Sequence, residues 1–105
     1  MHSSDTDVVI YVTYTGTPES RFDRDYYTGK HMPLVMAAWQ QYGLKSAAAF
    51  YPAVAGDGTV AICECRFADE AALEAAFASP EAAGVMADVA RFTDLVPARV
   101  RAAAL

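Results

Sequence analysis

A four-stranded antiparallel sheet with both helices on one face is the fold this sequence predicts, the ferredoxin-like βαββαβ arrangement of the α+β class. Three observations predict it. Val8 to Tyr14 is β-branched and aromatic throughout and ends at the turn signature Gly16-Thr17-Pro18. Helical periodicity follows from Glu19 to Tyr42 and again from Glu70 to about Phe92, with strand-like runs between the two and after the second. Right-handed crossovers in that order place both helices on the same side of the sheet.

Each element has its own signals. In the first helical stretch Phe22, Tyr26, Tyr27, Leu34, Val35, Ala38 and Trp39 recur at three-to-four spacing, and Gly43 supplies the stop. Gly29 and Pro33 interrupt it. Proline lacks the backbone donor, so Pro33 fits the first turn of a new helical segment, and Lys30-His31-Met32 is expected to be a kink or short break. Leu44 to Tyr51 and Thr59 to Phe67 read as strands two and three, joined through Gly56-Asp57-Gly58 as a hairpin. Asp69 caps a helix over Glu70 to Ala78, and Ser79-Pro80 restarts it with serine as cap and proline at the first position. Leu95 to Leu105 closes the sheet as strand four.

At 105 residues the chain has the length of one domain, read here as residues 1–105 with residues 1–6 disordered. Apolar residues make up 54% and charged residues 20% of it, an ordinary globular balance. The net charge of −5 provides no basic stripe for phosphates, which argues against a nucleic-acid partner. No apolar run approaches the roughly 20 residues that span a bilayer, and the first residues lack the features of a secretory leader, so the expectation is a cytoplasmic protein without a membrane partner. Cys63 and Cys65 stand at i and i+2 of a strand, on one face and about 7 Å apart along it, a spacing that strains a disulfide. With no second Cys/His cluster, they read as small core residues and no metal is expected.

The sheet face away from the helices decides the assembly. A solvated face alternates to polar residues, yet strand one is apolar on both faces and strand two nearly so. Strand three gives Ala61, Cys63, Cys65 and Phe67 to the helix side and Val60, Ile62, Glu64 and Arg66 to the other. A largely apolar face of several hundred Å² exceeds what monomers normally expose, which predicts a homodimer whose two sheets pack into a barrel. Glu64 and Arg66 then point into the intersheet space, where they either face a ligand or pair with each other at the rim. Tyr11 and Thr13 are candidate barrel-lining residues from strand one, with Phe92 closing the space and Tyr26 joining the ligand contacts.

The most distinctive string is Phe22-x3-Tyr26-Tyr27-x3-His31-x-Pro33-Leu34. Histidine exchanges its proton near neutral pH, and a backbone break lets it lean toward a cavity. Tyr27, one helical turn earlier, is placed to hydrogen-bond to the imidazole or to a substrate oxygen. The alternative is that His31 merely caps the broken helix while Tyr26 and Tyr27 fill core and surface.

That string, with Glu64 ahead of Arg66-Phe67-Ala68-Asp69 and then Phe77-Ala78-Ser79-Pro80-Glu81, Asp88 and Phe92, resembles the EthD family from about Val8 to Val96. The resemblance implies a dimeric α/β barrel, a fold shared with small cofactor-free monooxygenases, muconolactone isomerases and polyketide cyclases. By position it points to Tyr27, His31 and Asp88 as a polar set near the cavity mouth. Asp88 can equally belong to a solvated helix face with Glu81 and Arg91, the last a helical ion-pair partner.

The sequence holds no phosphate-cradling glycine loop, no nucleophile elbow and no dinucleotide fingerprint, so no cofactor is expected. The leading expectation is an enzyme acting on an apolar oxygenated, aromatic or polyketide-like compound by acid/base or oxidative chemistry, as monooxygenase, isomerase or cyclase. His31 would transfer the proton and Tyr27 orient it. The alternatives are a non-catalytic binding or delivery protein and a structural dimer with a filled barrel.

Overall fold

The computed structural model describes residues 7–103; the disorder expected of residues 1–6 and the last two residues of the expected fourth strand lie outside them. The strands are β1 (Val8–Gly16), β2 (Leu44–Phe50), β3 (Gly58–Phe67) and β4 (Ala98–Ala102). They form one antiparallel sheet in the order β2-β3-β1-β4, the ferredoxin-like arrangement.

The first helical region starts later than its periodicity suggests. Residues 19–23 form a loop in which Phe22 bridges to Thr93, and helix begins at α1 (Arg24–Tyr26), where the Asp23 side chain accepts the Tyr26 N–H. The expected break at Lys30-His31-Met32 takes another form: the helix continues as a π-helical turn over Tyr27–His31, with the Met32 N–H bonded to the Tyr27 carbonyl, and then as α2 (Met32–Trp39). Pro33 explains it. Its missing donor and its ring oppose a regular turn around Gly29, and widening the helix one step earlier relieves the clash. A tight 3₁₀ turn over Gln40–Tyr42 ends at Gly43, whose φ of 112° is the left-handed stop expected there.

The connection between β2 and β3 spans residues 51–57, longer than a tight turn. Asp69 caps α3 (Glu70–Phe77) through the Ala72 N–H at 2.8 Å. Ser79 does not cap the next helix: its hydroxyl turns back to the Ala76 carbonyl at 2.6 Å, leaving Pro80 at the start of α4 (Glu81–Asp88), which passes through a 3₁₀ turn, Val89–Arg91. The core lies between helices and sheet. Ala61, Cys63, Cys65 and Phe67 are buried there, as their alternation along β3 predicts, with Ile10, Tyr14, Leu44, Val35, Trp39, Leu73 and Phe92. No helix among the described residues is long and apolar enough to cross a membrane.

Candidate functional site

The π turn positions the site. It points both Tyr27 and His31 inward, and both are buried. The Tyr27 ring stacks on the imidazole with centroids 5.4 Å apart and planes 16° from parallel, and Phe92 packs 4.7 Å from His31 and 4.8 Å from Tyr27. The hydrogen bond expected from Tyr27 to His31 is therefore replaced by a stack. The Tyr27 hydroxyl instead interacts with Tyr14 and Cys63 on the sheet. Burial pushes both tyrosine hydroxyls well up, which keeps them neutral.

Asp88 provides the hydrogen bond that Tyr27 does not. At the end of α4, its Oδ2 lies 2.9 Å from His31 Nδ1 and its Oδ1 accepts from the Tyr26 hydroxyl at 2.8 Å, with Arg91 Nε at 3.5 Å. Its side chain is 12% exposed, so the solvated-face reading of Asp88 does not hold. The Arg91 ion pair does form. Partial burial pushes the Asp88 carboxyl up, but the hydrogen bonds from His31 and Tyr26 and the nearby charges of His31 and Arg91 outweigh it, and the net direction is down. The bond to Asp88 in turn holds the Tyr26 hydroxyl above its usual range. An ionised carboxylate only accepts hydrogen bonds, so the neutral imidazole carries its proton on Nδ1 and leaves Nε2 as a lone-pair acceptor. No described group hydrogen-bonds to Nε2.

His31 and Tyr27 line a cavity of about 330 Å³ between sheet and helices, with Val12, Tyr14, Cys63 and Cys65 on the sheet side and Val35, Trp39, Phe77 and Val85 opposite. That is the small end of ligand pockets, about 300–1,000 Å³. Small side chains make the space: Cys63, Cys65 and Ala82 stand where larger residues would fill it. The cysteines are free and buried as expected, but their sulfurs approach to 3.5 Å and form part of the cavity wall. Cys65 hydrogen-bonds to Cys63 and is buried, which together hold its thiol well up. Trp39, read from the sequence as core, carries a buried Nε1 with no hydrogen-bond partner among the described residues.

The cavity divides the sequence-predicted residues. Tyr27 and His31 line it, while Asp88, Tyr26 and Phe92 stand behind the imidazole. Tyr11, Thr13, Glu64 and Arg66 lie on the other face of the sheet. The register aligns Tyr11 with Glu64, Thr13 with Ile62 and Val9 with Arg66, and these alternate with Val12, Cys63 and Cys65, which face the helices. Glu64 and Arg66 do not pair with each other: Glu64 accepts from the Tyr11 hydroxyl at 2.7 Å, and Arg66 lies 3.7 Å from Asp7. For Glu64 and Arg66 this is the open face that alternation along β3 predicts, and it separates all four residues from the cavity that His31 lines. Val12, Tyr14 and Arg99, which line the cavity, were missed; the helix-side parity of Val12 and Tyr14 with buried Ile10 was the available signal. Among the described residues no three His, Cys, Asp or Glu side chains group to hold a metal ion.

A family model for the EthD domain matches residues 16–95. Among solved structures, an EthD-like protein from Ralstonia eutropha JMP134 matches with a TM-score of 0.80 at 24% identity, covering 92% of this chain and 90% of that one. An ethyl tert-butyl ether d (EthD) family protein from Bacillus halodurans C-125 matches with a TM-score of 0.70 at 17% identity over 93% and 99% of the two chains. A mutant of SnoaB, a cofactor-independent oxygenase from Streptomyces nogalater, matches with a TM-score of 0.68 at 10% identity over 93% and 92%. At such identities these structures share the fold. No curated protein matches.

Proposed function

The chain belongs to the EthD family, and from that premise we propose that it is a small-molecule enzyme whose site is the helix-side cavity, with His31 as the proton-transfer group. The observation that carries this reading is the 2.9 Å contact of His31 Nδ1 with Asp88 Oδ2, which leaves Nε2 open on a residue of the wall of a mostly apolar space. Nε2 takes a proton from an acidic carbon or hydroxyl of the bound compound, Asp88 stabilises the resulting imidazolium, and the same nitrogen returns the proton to the product. Tyr27 and Phe92 fix the imidazole plane. The reaction class is enolisation of a carbonyl compound leading to isomerisation or cyclisation. The substrate is aromatic or otherwise apolar and oxygenated, as the cavity's lining of Val12, Val35, Val85 and Trp39 favours.

The protein acts as a homodimer of single-domain subunits. Phe50 and Val100, both about half exposed, share the open sheet face with Val9, Thr13, Ala48 and Ile62, and a second copy of that face is the cover that apolar surface calls for. The test is deuterium exchange at the α-carbon of 2-tetralone in D₂O, followed by NMR with wild type and His31→Ala. The proposal expects catalysed exchange that the substitution reduces by about 10²- to 10⁴-fold, with binding retained. Binding of the ketone without catalysed exchange in the wild type would favour a delivery protein, the second reading of the same cavity.

A further inference from the structure

Arg99 is the permanent cation of the cavity lining, and no Asp or Glu lines that space. Four of the six arginines have carboxylate partners, Arg21 with Asp94, Arg91 with Asp88, Arg101 with Glu70 and Arg66 with Asp7, and Arg24, which lies over the Tyr51 ring, is not part of the cavity lining. Arg99 has none within salt-bridge reach among the described residues. Its guanidinium lies instead over the ring of Phe77, 4.7 Å from the centroid, and Phe77 also lines the cavity. A guanidinium resting on an aromatic face keeps its hydrogen-bonding edge free.

The sheet register places this cation relative to His31. Arg99 pairs with Val12, and Val12 with Cys63, so the three form one row across the cavity floor, with about 10 Å between the first and third backbones at about 4.8 Å per strand. Cys63 marks the histidine end: its sulfur lies 3.7 Å from Met32, the residue after His31, and it interacts with the Tyr27 hydroxyl. One end of the cavity thus offers a proton acceptor and the other, at the exposed edge strand β4, a positive charge.

We infer that the compound bound here is an aromatic carboxylate, held by Arg99 at the mouth of the cavity and presenting its reacting carbonyl or hydroxyl to His31. This rests on the reading of the cavity as the substrate site. A carboxylate matches the guanidinium fork two bonds at a time, and the row spacing suits a rigid bicyclic body between the two groups. The chain's net charge of −5 offers an anion no general attraction, so acid selectivity here depends on this one local cation.

The test is titration calorimetry with 6-hydroxy-2-naphthoic acid and its neutral carboxamide on wild type, Arg99→Met and Arg99→Lys, at low and high salt. Arg99 is exposed on an edge strand, so both variants should fold. The wild type should bind the acid about tenfold more tightly than the amide. Arg99→Met should abolish the preference by weakening the acid about tenfold more than the amide, and Arg99→Lys should retain part of it. The preference should shrink as salt rises. Equal binding of acid and amide by the wild type, or a preference that survives Arg99→Met, overturns the assignment while leaving the cavity as the substrate site. Failure of both compounds to bind overturns the assignment and counts against the site itself.

Discussion

The two faces of the central sheet are made by the same strands and do opposite things. On the helix side, Val12, Tyr14, Cys63 and Cys65 border a space that the surrounding side chains leave unfilled. On the open side, one residue away along each strand, Tyr11, Thr13, Ile62, Glu64 and Arg66 present a surface on which Tyr11 pairs with Glu64 and Arg66 with Asp7. The contrast teaches where chemistry can occur in this fold. An open imidazole nitrogen beside an apolar void favours proton transfer, whereas paired polar groups amid exposed Phe50 and Val100 favour association.

The largest effect expected from breaking the helix side is at Phe92, which is fully buried and in contact with His31, Tyr27, Tyr14 and Phe22. Phe92→Ala should cost about 3–5 kcal/mol of folding stability, measured by urea unfolding. On the open side, Ile62→Glu adds a carboxylate at the centre of the face and near Glu64. It should convert the proposed dimer to monomer by sedimentation analysis while leaving the His31–Asp88 contact intact. A variant that stays dimeric would move the interface elsewhere.

Asp88 gives the smallest effect and the sharpest pH signature. Because its folded pKa is depressed, its contribution to stability is fully present above its unfolded value of about 3.9 and is lost as pH falls through the lower folded value. Asp88→Asn should therefore narrow the stability gap to wild type as the solution is acidified below about pH 4, followed by thermal unfolding across pH. A gap independent of acid would mean that the carboxylate contributes only packing.

The elements were legible because their signals are local. The Asp69 cap, the Gly43 stop and the alternation along β3 each act within a few residues, and the structure keeps all three. Ser79 misled because its hydroxyl had a competing acceptor, the Ala76 carbonyl. The irregular backbone at His31 was legible from Pro33, but its π-helical form was not, since that depends on how the chain redistributes one missing hydrogen bond.

The histidine, its inward direction and Asp88 came from the Tyr-Tyr-x3-His string and its resemblance. The location of the cavity did not. Whether small residues such as Cys63, Cys65 and Ala82 leave a void or are filled by neighbours is decided by side-chain volumes meeting across layers. No spacing in one chain segment reports that, which is why the separation of Tyr11, Thr13, Glu64 and Arg66 from the cavity of His31 was not legible.

The valine methyls offer the most direct test of which face holds the ligand, because Val9 and Val12 sit on opposite sides of one strand. With methyl-labelled protein and bound 2-naphthol, intermolecular NOEs should connect the ligand's ring protons to Val12, Val35 and Val85, which line the cavity. Contacts to Val9, Ile62 and Val100 on the open face, with none to Val12, would contradict a helix-side site and return the chemistry to the space between the sheets.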